Sequence, residues 1–145
     1  MLNHRQTKNQ FESLTTLQAI QNQAYQMLVQ GLAKTDFSMR EWGILVYLEQ
    51  HGQATASELS DAFTVTRTLI SRNIWRLIQD NLIQSRVNQT DRRIVRLTLT
   101  INGEETVQKS VRQVQANLKE SNQSYNLNKL TKQVETLSQQ LDKTN

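Results

Sequence analysis

Between Leu82 and Leu99 the apolar period of this chain shortens from that of a helix to that of a strand, while the strong signals on both sides are helical. Val95, Leu97 and Leu99 alternate with Ile94, Arg96 and Thr98, and a β-rich run from Leu82 to Val87 precedes them. The polar, turn-prone Asn88-Gln-Thr-Asp-Arg-Arg93 lies between. One hairpin set into a helical chain restricts the fold to a mainly α architecture with a two-stranded sheet.

The helices are delimited by their own caps. Leu14, Leu17, Ile20, Ala24, Met27, Leu28 and Leu32 trace one helical face, predicting a first helix over roughly 10 to 32 that Gly31 and the polar Lys34 to Asp36 end. Ser38-Met-Arg-Glu41 is a capping box opening a second helix, with Trp42, Leu45, Val46 and Leu48 apolar, which stops near His51-Gly52. A second capping box, Thr55-Ala-Ser-Glu58, opens a short third helix with Leu59, Ala62 and Phe63 expected on its inner side. Ile70, Ile74, Leu77 and Ile78 then mark a fourth helix over 66 to 79, with Asn81 a left-handed terminator. Two helices so closely joined form a helix-turn-helix, and the hairpin after them makes it winged. Beyond Thr100, the sets Val107, Val111, Val114, Leu118 and, after a polar break over 120 to 126, Leu127, Leu130, Val134, Leu137, Leu141 are narrow seams suited to another helix. An intrachain hairpin would use the same pattern; a subunit interface is favoured because the apolar edge exceeds what one small winged lobe can cover. The expected organisation is a single domain over 1–145, with dimerisation helices at 10–34 and 101–145 around a winged lobe at 36–100.

Charge is concentrated on that lobe. From Thr66 to Thr98 there are seven arginines and no lysine, against Asp80 and Asp91, so this stretch alone exceeds the net charge of +4 on the whole chain. Arginine's planar fork binds phosphate and guanine bidentately. On the fourth helix the apolar face leaves Arg67, Thr68, Ser71, Arg72, Trp75 and Arg76 outward; an α-helix fits the major groove, and Arg67, Thr68, Ser71 and Arg72 can reach base edges. Arg76, a turn later, is expected to meet phosphate or its neighbour Asp80. Trp75 is expected to pack at the edge of the core. The helix starts supply further phosphate contacts, Thr55, Ser57 and Thr66, with Thr55 above all a cap. At the hairpin tip Asp91, Arg92 and Arg93 suit a narrow minor groove, the aspartate holding one arginine in place.

Other functions find no support in the residues. The chain has no cysteine, which removes disulfides, thiolate metal sites and thiol redox sensing. His4 and His51 lie far apart without acids at ligand spacing, the four glycines stand singly, and no catalytic nucleophile, base and acid come together. The expectation is a non-enzyme with no metal and no cofactor. No apolar run approaches the roughly 18 residues of a membrane span, and the first residues lack a signal-peptide core. A cytoplasmic protein with no membrane partner is expected.

The run Leu77-Ile-Gln-Asp-Asn-Leu-Ile83, then Arg86, Asp91-Arg92-Arg93 and Leu97-Thr-Leu-Thr-Ile-Asn-Gly103, resembles the signature of the MarR family of bacterial transcriptional regulators, approximately L-x-x-x-G-L-I/V-x-R, D-x-R and L-T-x-x-G. Asn81 stands where the family usually has glycine, a benign change for a left-handed position. The order of helices and wing matches over essentially the whole chain. The resemblance implies a homodimer built on the terminal helices, with a salt-bridged Asp91–Arg93 wing contact in the minor groove and the fourth helix in the major groove. It also implies a double-stranded DNA operator as partner and, in many members, a small-molecule effector, whose existence here no residue pattern decides. The function expected is a sequence-specific regulator, more often a repressor. The competing expectation is a winged-helix module binding an acidic protein.

Overall fold

The structure is a computed structural model that describes residues 4–120 and 127–142, with side chains placed over 11–120 and 129–139. Among the described residues, six helices and one hairpin follow the order α1 (His4–Leu32), α2 (Met39–His51), α3 (Ala56–Ala62), α4 (Arg67–Gln79), β1 (Ile83–Val87), β2 (Val95–Leu99), α5 (Ile101–Glu120) and α6 (Leu127–Asp142). The mainly α winged architecture expected from the sequence is the one observed. α1 begins at His4, earlier than the apolar pattern suggests, because no proline or glycine interrupts the polar residues ahead of Leu14. Most of the polar break at 120 to 126 lies outside the described residues.

Each element ends where its local chemistry dictates. Both capping boxes are formed: Ser38 Oγ accepts from the Glu41 amide at 3.3 Å while Glu41 accepts the Ser38 amide at 2.9 Å, and Thr55 with Glu58 repeats this at 3.1 and 2.6 Å. Between α3 and α4 the chain turns through Thr64 at φ 52°, an unusual conformation for a β-branched residue. The Ser60 hydroxyl stabilises that turn by donating to the Val65 carbonyl at 2.6 Å, which explains why Ser60 is buried. Ala62, expected inward, is instead exposed: on so short a helix Leu59 and Ser60 fill the inner face. α4 closes in a Schellman motif, with Asn81 at φ 56° and the amides of Asn81 and Leu82 donating to the carbonyls of Ile78 and Leu77, each at 2.9 Å.

The core of the winged lobe is apolar and contiguous. Ile44, Leu45, Leu48, Leu59, Ile70, Leu77 and Ile83 are its most deeply buried large side chains, drawn from α2, α3, α4 and β1. β1 and β2 pair antiparallel from Ile83 opposite Leu99 to Val87 opposite Val95, placing Arg86 directly opposite Arg96. Ala54, just before α3, exchanges both backbone hydrogen bonds with Leu97 at 3.1 and 2.8 Å, anchoring the wing's base to the helix-turn-helix.

α5 leaves the wing through a crowded corner. Thr100 Oγ1 donates to the Asn81 carbonyl at 2.7 Å and accepts the Gly103 amide at 2.9 Å, and a Cβ on Gly103 would collide with the Leu82 carbonyl oxygen. This is the physical content of the Leu97-Thr-Leu-Thr-Ile-Asn-Gly103 run. Farther along, α5 packs closely on α1: a Cβ on Gly31 would stand 2.7 Å from Val114 Cγ1, and Asn117 Nδ2 donates to the Gly31 carbonyl at 2.7 Å. Trp42 Nε1 donates to Ser110 Oγ at 3.0 Å, tying α2 to α5. Within one chain α1 therefore buries Ile20, Met27 and Leu32, whereas Phe11, Leu14, Leu17, Tyr25 and Val29 stay exposed, as does Val134 on α6.

Candidate nucleic-acid interface

Ile70, Ile74 and Leu77 seat α4 in the core, so at 3.6 residues per turn Thr68, Arg72, Trp75 and Gln79 point away from it. Arg67, Thr68, Ser71, Arg72, Trp75 and Arg76 are all exposed, as the sequence predicts for the outer side. Trp75 departs from its expected place at the core edge: it is 64% exposed, because its position on the helix lies nearer the outer pole than the margin of the apolar stripe.

The arginines divide into anchored and open groups. Arg67 Nη2 donates to Ser57 Oγ at 2.7 Å, bridging the start of α4 to the first turn of α3. Arg76 reaches Glu41 at 3.1 Å and Asp80 only at 4.0 Å, so its main partner is the capping acid of α2 rather than its own i+4 neighbour. Glu41 is 3% exposed. Burial pushes its carboxyl pKa up, but the Ser38 amide and hydroxyl, the Arg76 guanidinium and Asn73 outweigh that and hold it below the ordinary value of 4.5. Among the described residues, Arg76 alone of the seven arginines has a carboxylate within 4.0 Å; Arg72, Arg86, Arg92 and Arg93 extend into solvent.

The helix starts are already occupied by their own caps. The Thr55 amide and then its hydroxyl lower the pKa of Glu58, with Arg96 adding a smaller pull, so Thr55 is committed to capping and a carboxylate occupies that corner. Thr66 Oγ1 accepts the Leu69 amide at 3.4 Å, capping α4. Ser57 faces Arg67 across the turn.

At the tip, Asn88 Oδ1 accepts from the amides of Thr90 and Asp91 at 2.9 and 3.4 Å, and Asp91 Oδ1 accepts the Arg93 amide at 3.0 Å. The aspartate thus holds the backbone of Arg93, and among the described residues no ion pair joins it to either guanidinium. Arg92 and Arg93 project freely.

Comparison with known proteins places this geometry. A profile of the MarR family matches residues 37–95, the stretch from α2 into β2. Over that stretch the winged lobe is similar in sequence to the MarR family. Among relatives, the chain is 28% identical over 89 residues to the HTH-type transcriptional repressor MdtR of Bacillus subtilis (strain 168), covering 61% of the chain and 57% of MdtR. The chain spans little more than half the length of the curated relatives it matches. Its fold is shared with the transcriptional regulator PA4135, at a TM-score of 0.73 and 20% identity over 89% of this chain and 94% of that one. It is shared also with a mutant of MarR from E. coli complexed with operator DNA, at a TM-score of 0.65 and 21% identity over 88% and 89% of the two chains. Among the described residues, no helix is long and apolar enough to cross a membrane.

Proposed function

We propose that this protein is a MarR-type, dimeric, sequence-specific regulator of transcription that binds double-stranded DNA, acting as a repressor on a pseudo-palindromic operator. The observation that carries this reading is the set of exposed guanidiniums on α4 and the wing, Arg72, Arg86, Arg92 and Arg93, which among the described residues have no carboxylate within 4.0 Å. Free fixed cations on a groove-sized helix favour a polyanion, because phosphates release their counterions to them. Arg67, Thr68, Ser71 and Arg72 enter the major groove. Asp91 sets the wing-tip backbone so that Arg92 and Arg93 enter the adjacent minor groove. Ser57, Thr66 and Arg76 lie along the phosphates, with Thr55 fixing the turn that carries Ser57.

The exposed apolar stripe of Phe11, Leu14 and Leu17 at spacing three, with Val134 on α6, supports a two-fold interface through the terminal helices. Two recognition helices would then meet successive major grooves about 34 Å apart. A small-molecule effector would act by changing that separation, since one spacing alone engages both half-sites.

Selecting bound fragments from the source genome and titrating them by fluorescence anisotropy tests the proposal. Affinity should fall by orders of magnitude between roughly 50 and 200 mM salt. Arg72→Ala should cost about 1–3 kcal/mol on the selected site and less on scrambled DNA. Equal losses on both would demote Arg72 to a phosphate contact. No salt-sensitive shift, together with a stable complex with an acidic protein, would replace the DNA reading with the protein-module one.

A further inference from the structure

Trp75 is the only exposed large apolar side chain on α4, and nothing in the fold accounts for it. It shares the outer face with Thr68, Arg72 and Gln79, at i−7, i−3 and i+4, all polar. The ring contacts found among the described residues join Tyr47 to His51 and to Phe63, leaving the indole of Trp75 without an aromatic partner. Neither guanidinium beside it on the helix is positioned by it: Arg76 is held by Glu41, and Arg72 is open. A broad apolar plate in the middle of a cationic, groove-sized surface calls for an apolar feature on a polyanion.

Double-stranded DNA offers one such feature on its base edges, the 5-methyl group of thymine in the major groove. Building on the DNA-binding reading above, we propose that Trp75 is a specificity-determining residue that packs its indole on a thymine methyl in each half-site. The arginine one turn earlier, Arg72, hydrogen-bonds a base edge nearer the start of α4, and the indole reads the neighbouring step by contact. The two groups divide the readout: guanidinium by hydrogen bonds, indole by shape. Stacking on a deoxyribose would use the same exposed ring but would not distinguish thymine from uracil.

The test selects duplexes from a randomised library with the wild-type protein, Trp75→Ala and Trp75→Gln. Circular dichroism melts of the two variants should match wild type, because the ring is exposed. The wild-type motif should contain a thymine that both variants lose while the positions set by Arg72 persist. Replacing that thymine by deoxyuridine in the selected duplex should weaken wild-type binding about fourfold per substitution, the worth of one buried methyl, and leave Trp75→Ala unchanged. One motif enriched alike by all three proteins leaves the DNA-binding reading standing and overturns this one, as does a wild-type affinity indifferent to deoxyuridine. No enrichment by wild type overturns both.

Discussion

Glu41 is the one charged side chain found buried among the described residues, and Glu41→Gln isolates what that charge contributes. Glutamine keeps the shape of the capping box and can still accept the Ser38 amide. What disappears is the charge-assisted part of the bonds to Ser38 and the attraction to Arg76 across the α2–α4 contact. A hydrogen bond to a buried charge contributes about 1.5–3 kcal/mol, but Arg76 is 58% exposed and the pair is partly screened, so a loss of about 1–2 kcal/mol at pH 7 is expected. Because the folded carboxyl titrates below its ordinary 4.5, this stabilisation is fully present above that value and vanishes as pH falls through the lower folded pKa. Urea unfolding of both proteins at one protein concentration, at pH 7, 5 and 3, measures the difference directly. The gap should be nearly equal at pH 7 and 5 and shrink as the pH is lowered toward 3. A variant more stable than wild type at pH 7 would mean that desolvation outweighs the partners, and a gap that does not shrink on acidification would mean that the charge is not its source; either result would refute the reasoning.

Other consequences can be checked on the same material. Asn81→Gly should raise stability by roughly 0.5–1 kcal/mol, since φ 56° suits glycine better than any side chain, and a thermal melt reads this as an increase of a few degrees. Gly103→Ala should destabilise by at least about 1–3 kcal/mol through its clash with the Leu82 carbonyl, visible as a lower urea midpoint. Leu14→Glu places a charge in the exposed stripe of α1 and should shift sedimentation toward monomer while leaving helix content unchanged; an unaltered dimer would remove α1 from the interface.

The elements legible in the sequence are those written by neighbours along the chain. Two capping boxes, a left-handed Asn81 and a change of apolar period fix the helix-turn-helix and wing to within a residue or two at most boundaries, because hydrogen bonds between residues three or four apart do not depend on the rest of the fold. What escaped depends on approach between distant segments. Ala54 carries no signal that it will pair with Leu97, and Glu41, recognised as a cap, carries none that Arg76 will reach it. Ser60 is buried for a turn that forms only because Thr64 takes a positive φ. Trp75, expected at the core edge because large indoles usually find cover, stands exposed because the apolar stripe is too narrow to provide it.

Thr100 grips the end of α4 with one side of its hydroxyl and the start of α5 with the other, and Gly103 lets the two backbones touch. The rod that begins there is 20 residues long, roughly 30 Å from pivot to far end, where it is clasped by α1. With Trp42 of α2 also bonded to Ser110 midway along it, α5 joins the clasp to the arginine-bearing lobe through packed contacts rather than through a run of free residues.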